Sequence, residues 1–400
     1  MTHTIEQYIA ECGDHVLHAF SALPRPSKKL EDWKFFTHTE WFESKWNIST
    51  VYEVTPDFIH SQLQGIDYDS LVVFHNGEFL MQYSKISDFL KISNQEYKPI
   101  FESKSLTQLD IVHTANAKHG VNIRIANTEQ SNHIVLLSVV SGSHTLCTAS
   151  HTIHVEADTQ CTITEIIVSE ANATESLMLS GTQLICNAGS VCEYTSIQKL
   201  HKTSSIVQNI AVMQLQETTA TVHAYPLSGA YNRTNMSAYK QGTQAHTNVY
   251  GILFPCTDEH IELYTNIYHN VPECETNEQI KGLGKDNGQG VFSGLIYVAK
   301  DAQKTRAAQS NKNILLSPTA KIHSKPQLEI YADDVSCNHG STTGQINREA
   351  LWYMQARGID LHKATELLLE GFINDVLETM SNEQVQAYIL SHIDTKIAEI

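Results

Sequence analysis

Cys337 and His339 stand two residues apart near the end of a long stretch of alternating polarity. In a strand, positions i and i+2 point to one face, so a thiolate and an imidazole placed there could serve one ligand. Both are soft or borderline donors suited to iron or iron–sulfur species. Two donors do not close a four-ligand site, and on residue pattern alone the favoured reading is that both side chains simply pack. A second candidate group lies upstream, where His260 and His269 flank a strand-like segment carrying Glu262, with Cys274 just beyond. Most of the 21 histidines are scattered singly, and a lone histidine is usually a surface residue or a satisfied core residue.

Signatures of catalysis do not occur. Gly282-Leu283-Gly284-Lys285 resembles a phosphate loop at a glance, but it lacks the GxxxxGK[ST] spacing and the hydroxyl that would hold magnesium, and it reads as a flexible loop. There is no HExxH, no GxSxG, and no GxGxxG after a strand. No catalytic residue is therefore assigned, and ATP hydrolysis by this chain alone is not expected.

The elements that must position these donors follow from composition and periodicity. A chain of 400 residues has room for two or three domains and a sizeable core. With 41% hydrophobic and 18% charged residues it is not a disordered chain. A formal net charge of −17 argues against a nucleic-acid footprint. Eight cysteines, spread along the chain with no CxxC, fit free thiols in a reducing cytosol better than zinc fingers or a disulfide framework. The segment Met1 to Phe20 carries Glu6, Glu11 and Asp14 and lacks the basic and apolar regions of a signal peptide. The best apolar stretch, near Ile134 to Val140, is too short to cross a bilayer. A cytoplasmic protein with no membrane or nucleic-acid partner is expected.

Thr4 and Gln7 form a capping-box pair that opens a helix with Ile5, Ile9, Val16 and Phe20 on one face. Pro24 and Pro26 end it. The aromatic cluster Trp33, Phe35, Phe36, Trp41, Phe42 and Trp46 follows, a composition that more often packs than binds. From about Ile111 to Ile330 short alternating runs dominate, which predicts strands with one buried face. Turn-forming pairs at Asp158-Thr159, Gly189-Ser190, Thr218-Thr219 and Gly242-Thr243 recur at separations of 31, 29 and 24 residues. That loose period suggests stacked coils of short strands, as in a parallel β-helix, with a sandwich as the alternative. The end is helical. Asn347 to Arg357 is amphipathic, with Leu351 and Met354 on one side, and Gly358 suits a left-handed C-cap. Asp360 caps a second helix with an apolar stripe of Ala364, Leu367, Leu368, Phe372, Val376 and Leu377. Ser381 and Gln384 form a capping-box pair for a last helix. The expected domains are 1–110, helical and mixed; 111–345, a β-helix core; and 346–400, helical.

The segment from Lys325 to Gln345, KPQLEIYADDVSCNHGSTTGQ, and VFSGLIYVAKDAQKTRAAQSNKNILLS from Val291 to Ser317 resemble the signature of the SufB/SufD family of iron–sulfur cluster assembly proteins. Leu351-Trp352-Tyr353-Met354 and Arg357-Gly358-Ile359 are similar to the helix that follows the family's core. Weaker echoes are Glu31-Asp32-Trp33-Lys34, Asn76-Gly77, the pair Arg233 and Asn235, and His260 with His269. Where SufB chains carry an LEHEA-type segment, this chain has Asp333 to Gly340, which resembles the SufD branch. It departs from that branch at Glu262, where aspartate is common, and at Cys274, where serine is common. The resemblance implies a mainly β fold, a right-handed parallel β-helix between helical domains. It implies pairing with SufB, binding of the SufC ATPase on the C-terminal helices around Arg357, Leu367, Leu368 and Phe372, and a scaffold without turnover of its own. It implies a transient iron–sulfur cluster at the SufB interface with His339 contributing and Cys337 beside it. A reduced flavin carried by the complex, with no residue of this chain assigned to it, and a homodimer of the isolated chain belong to the same expectation. The competing readings are a β-helix enzyme such as a polysaccharide lyase, and a purely structural SufC partner.

Overall fold

The computed structural model describes residues 2–48, 53–94, 106–115, 120–126 and 132–398. The N-terminal part contains strands β1 (Thr2–His3), β2 (Trp46–Ile48), β3 (Ser70–His75), β4 (Glu78–Phe79) and β5 (Leu90–Asn94), and helices α1 (Ile5–Glu11), α2 (Asp14–Ala22), α3 (Pro56–Gln62) and α4 (Gln108–Ala115). The capping box is present, with Gln7 N–H donating to Thr4 Oγ1 at 3.3 Å and Thr4 N–H to Gln7 Oε1 at 2.9 Å. The single helix expected through Phe20 is two helices. Gly13, at φ 121°, breaks it between α1 and α2, because that conformation leaves the helical region and suits a residue without Cβ. Strands were also expected from about Ile111, where α4 lies instead.

The solenoid runs through β6 (Val121–Ile125), β7 (Asn132–Val140), β8 (Thr145–Val155), β9 (Gln160–Ser169), β10 (Leu177–Cys186), β11 (Val191–Lys199), β12 (Ser205–Gln214), β13 (Thr219–Ser228) and β14 (Tyr231–Lys240). It continues through β15 (His246–Leu253), β16 (His260–His269), β17 (Glu275–Gly284), β18 (Gln289–Val298), β19 (Arg306–Leu315), β20 (Lys321–Ile330) and β21 (Ser336–Gly344). Even-numbered strands from β8 to β20 form one sheet, and odd-numbered strands from β7 to β21 form the other. Neighbours are parallel and in register, so the chain is a β-solenoid of about eight turns and not an antiparallel sandwich. Each residue sits on a counterpart one coil away: Ser205 on Tyr231, Gln289 on Lys321. The sheets reach beyond the expected core, since β2 pairs with β8 and β3 with β7. Asn76 and Gly77, both at positive φ, turn β3 into β4, and a Cβ on Gly77 would lie 1.9 Å from the Thr148 carbonyl oxygen.

The corners explain the loose period. Asp158, Gly189, Glu217, Gln244, Glu273 and Lys304 all adopt left-handed backbone. Several donate their N–H to the next coil, as Asp158 does to Ala188 O at 2.9 Å and Glu217 to Thr243 O at 3.0 Å. The ladder bond offsets the cost of about 1 kcal/mol that a non-glycine residue meets there.

Inward positions carry the expected aliphatic side chains, including Ile163, Ile210, Val222 and Ile267. Polar residues share the lumen as well. Glu165 is fully buried and accepts from Thr182 Oγ1 at 2.8 Å, Gln208 Nε2 at 3.2 Å and the Tyr194 hydroxyl. Burial pushes its carboxyl up. Lys240, also fully buried, donates to Thr247 Oγ1 and to Glu275 O at 3.0 Å, and burial pushes its ammonium down to about 7.

On the outer face of the even-numbered sheet, Arg233 fastens the N-terminal aromatic segment. Its Nη1 donates to Glu262 Oε2 at 2.8 Å, and its guanidinium lies 3.9 Å from the ring centres of both Trp33 and Tyr264. Tyr231 donates to the same carboxylate at 3.0 Å, and His260 Nε2 lies 2.9 Å from Oε1. Burial alone would raise the Glu262 carboxyl, but His260 and Arg233 outweigh it and hold it below the usual carboxylate range. Trp33, Phe36, Trp41, Phe42 and Trp46 are buried here, so the aromatic cluster is packing.

Helices α5 (Arg348–Ala356), α6 (Leu361–Leu377) and α7 (Glu383–Ala398) close the chain. Asn347 and Asp360 cap α5 and α6. Gly358, at φ 85°, ends α5, and Ile359 N–H donates back to Met354 O at 3.2 Å. For α7 the cap is Asn382, not Ser381, because Asn382 Oδ1 accepts from Gln384 and Val385 N–H while the Gln384 side chain is spent on Asp67. The buried stripe of α6 is Ala364, Leu369, Ile373, Val376 and Leu377. Leu367, Leu368 and Phe372, expected on it, lie to one side, because Leu369 and Ile373 follow the 3.6-residue turn onto the solenoid.

Replacing Arg233 by Met leaves Glu262 charged and buried, and should cost about 3–5 kcal/mol in denaturant unfolding. Adding Glu262→Gln should recover part of that loss, and early proteolysis in the segment around Trp33 should accompany the single change. For Lys240 the folded form holds the amine neutral while the unfolded chain protonates near 10.5. Its contribution therefore falls as pH drops from about 10 to 7 and is flat below. Lys240→Met should remove that slope, measured as unfolding free energy against pH.

Candidate functional site

Both sheets stop at β20 and β21, and the last coil differs from those before it. Residues of β18 alternate between buried and half-buried, whereas β20 has no buried residue and β21 is exposed except at Cys337. Each of these strands has a neighbour on one side and a bare edge on the other. The lumen of the solenoid opens between them.

Cys337 and His339 stand together at this mouth. In β19 the buried alternation runs Ala307, Gln309, Asn311 and Asn313. β21 stacks on it in register, with Cys337 on Ala307 and His339 on Gln309, so both residues occupy lumen-facing positions as the i, i+2 spacing requires. Cys337 is half-buried and packs against the core, and burial raises its thiol. His339 is exposed. Beneath them Gln309 Nε2 donates to Glu278 Oε2 at 2.6 Å. Glu278 is almost fully buried, and burial pushes its carboxyl up to about 7.

The other candidate donors do not join this pair. His260 and Glu262 belong to the Arg233 network on the outer face. His269 Nε2 bonds Thr276 Oγ1 at 2.8 Å, and burial with nearby Lys240 pushes its imidazolium down to about 2. Cys274 donates to the carbonyls of Gly242 and Pro272. Among the described residues no three His, Cys, Asp or Glu side chains converge as a metal site. The pair at the mouth therefore brings one thiol and one imidazole together, two of the four donors that a closed site needs.

The C-terminal helices offer a second surface. α6 and α7 are locked to the solenoid: Lys281 pairs with Asp375 and lies 4.4 Å from the Phe372 ring centre, and Lys396 Nζ donates to Glu259 Oε2 at 2.6 Å. Phe372 is thus half-buried under an internal contact, and Leu368 is half-buried as well. α5 has no buried residue. Trp352 is 66% and Tyr353 61% exposed, and Leu361 and Leu367 on α6 are exposed as well. Arg357 stacks its guanidinium 5.0 Å from the Tyr353 ring centre and donates to its hydroxyl at 2.9 Å. Leu351 and Met354, expected together on one side of this helix, are half-buried, while Trp352 and Tyr353 are exposed.

A groove on the outer face of the even-numbered sheet, near 240 Å³, is lined by Asp32, Asn235, Tyr264, Tyr268 and Glu329 among others. Its cations are engaged, Arg233 by Glu262 and Lys325 by Glu31 at 2.5 Å.

Residues 138–372 match the family model described as "SUF system FeS cluster assembly, SufBD core domain". The iron–sulfur cluster assembly protein SufD of Escherichia coli is 34% identical over 182 residues, which cover 46% of this chain and 43% of that protein. The chloroplastic protein ABCI7 of Arabidopsis thaliana is 27% identical over 212 residues, covering 53% and 45%. SufD of Bacillus subtilis is 28% identical over 166 residues, covering 42% and 37%. The aligned part spans under half the length of each of these relatives. Among the described residues no helix is long and apolar enough to cross a membrane. The matched region contains the solenoid's last coil, Cys337, His339 and α5, and with more than half of its length matching the core model, the chain belongs to the SufBD core family of SUF-system iron–sulfur cluster assembly proteins.

Proposed function

We propose that this chain is the SufD-type scaffold subunit of a SufB–SufC–SufD complex, which pairs with SufB through the open end of its solenoid, docks SufC on its C-terminal helices and turns over no substrate alone. The observation that carries the reading is the unfinished last coil. β20 and β21 present two rows of N–H and C=O groups that a second solenoid, stacked end to end, would satisfy. A homodimer through the same edges is the competing arrangement when SufB is lacking. The same reading takes the complex to be cytoplasmic, where thiols stay reduced.

End-to-end stacking would close the lumen mouth between two chains and enclose Cys337 and His339. The cluster is cargo at this place. His339 would offer a neutral imidazole nitrogen, Cys337 a thiolate once the nearby iron outweighs its burial, and SufB the remaining ligands. Such a site forms when both subunits meet, which accounts for a donor set that stays incomplete in one chain.

The surface around α5 supports the SufC part of the reading. A nine-residue helix with no buried side chain gains little stability by itself. Trp352, Tyr353 and Arg357 are the residue types that dominate protein interfaces. Leu361 and Leu367 extend the patch, while Leu368 and Phe372 act mainly inside the chain.

Two measurements test this reading. His339→Ala should leave the three-protein complex at the same subunit ratio and sharply lower its iron and sulfide content, with Cys337→Ala milder because that side chain also packs. Unchanged cluster content in an intact complex overturns the ligand assignment. Trp352→Ala with Tyr353→Ala should weaken SufC binding by about 3 kcal/mol, more than a hundredfold in Kd, without affecting SufB pairing. These substitutions are cleaner than removal of residues 347–400, which would uncover the face that Leu369, Ile373 and Val376 bury.

A further inference from the structure

The lumen holds a short polar column directly behind His339. Glu278, Gln309 and His339 occupy one register position on three successive strands of the odd-numbered sheet. In-register residues of neighbouring strands lie about 4.8 Å apart and point the same way. Glu278 and Gln309 are 1% and 2% exposed. Gln309 Nε2 donates to Glu278 Oε2 at 2.6 Å, which sets the orientation of the amide. Its Oε1 is buried and has no hydrogen-bond partner among the described residues. A buried carbonyl oxygen left in that state costs roughly 1–3 kcal/mol, so it needs a reason. Gly294 makes the room: a Cβ there would sit 2.2 Å from Gln309 Nε2.

We propose that Gln309 is a positioning residue for His339. Its Oε1 accepts the N–H of one imidazole nitrogen when the lumen mouth is closed by a partner, and so leaves the other nitrogen, with its lone pair, facing the cargo cluster. Glu278 acts one step further back by holding the Gln309 amide with its nitrogen inward and its oxygen outward. A histidine ligand whose second nitrogen is held in this way has one tautomer and one ring orientation, and loss of such a partner typically lowers metal affinity by 10–100-fold. The inference rests on the reading of His339 as a cluster ligand.

The test uses the full three-protein complex, purified without oxygen. The variants are Gln309→Met, which keeps length and volume and removes the acceptor, Glu278→Gln, which keeps shape and frees the Gln309 amide to turn over, and Gln309→Glu, which restores an acceptor. Iron and sulfide per complex are measured, with thermal unfolding and subunit ratio in parallel, and the coupling of a histidine nitrogen to the reduced cluster is read by pulsed electron paramagnetic resonance. Gln309→Met should lower cluster content about tenfold and change or abolish the nitrogen coupling in an intact complex. Glu278→Gln should move both in the same direction by less, and Gln309→Glu should restore part of each. If His339→Ala lowers cluster content while Gln309→Met and Glu278→Gln leave content and coupling as in the natural protein, the positioning role is overturned and the ligand role stands. If His339→Ala itself changes nothing, both fall. Should Gln309→Met fail to fold, the near-isosteric Glu278→Gln decides alone: a changed nitrogen coupling supports the role and an unchanged one overturns it.

Discussion

In-register parallel stacking is the constraint on which the rest of this structure depends. Each coil gives its N–H and C=O groups to the coils before and after it, and every side chain lies on its counterpart at the strand spacing of about 4.8 Å. Side chains therefore form columns. Tyr239, Tyr268, Tyr297 and Tyr331 follow one another on the outer face, with ring centres 5.1, 6.0 and 5.5 Å apart, the first pair stacked and the others tilted. Cys161 and Cys192 are partners in the lumen, and Arg233 and Glu262 pair on the outside. The same rule that favours such columns makes them unforgiving. A buried polar side chain must find its partner one coil away or go unpaired.

The stacking has no natural end. A coil in the interior satisfies two neighbours, whereas the last coil satisfies one and leaves two strand edges and the lumen open. At the other end the N-terminal segment deals with the problem by adding strands, β2 beside β8 and β3 beside β7, and by covering the sheet with aromatic side chains. At β20 and β21 no described residue provides such cover, and here stand the candidate donors Cys337 and His339. Open edges, an open lumen and two candidate donors at one mouth are three aspects of one arrangement, and the proposed pairing with a second solenoid rests on it.

The two candidate surfaces are built to different physical ends. The lumen mouth is polar and backed by an amide that Glu278 holds, which suits orientation of a donor. The patch on α5 is aromatic and lies on a helix with no buried residue, held next to α6 and α7, which are themselves pinned by Lys281 and Lys396. That contrast suits a candidate docking element borne on a firm base.

Much of this was legible in order along the chain. Alternating polarity marks the strands, small and polar pairs mark the corners, and Thr4, Asn347, Gly358 and Asp360 announce helix ends, because each of these signals acts through neighbours within a few residues. The i, i+2 spacing likewise sets Cys337 and His339 on one face. What sequence alone could not decide is register, and register determines every partnership across coils. The left-handed corners at Glu217, Glu273 and Lys304 carry ordinary residues, held there by ladder bonds to the next coil. Arg233 finds Glu262, and Gln309 lies behind His339, because the strands that carry them pair without a register shift. The stripe of α6 shifted from Leu368 and Phe372 to Leu369 and Ile373 for the same kind of reason. Local periodicity allows several apolar faces, and the surface against which the helix packs selects one of them.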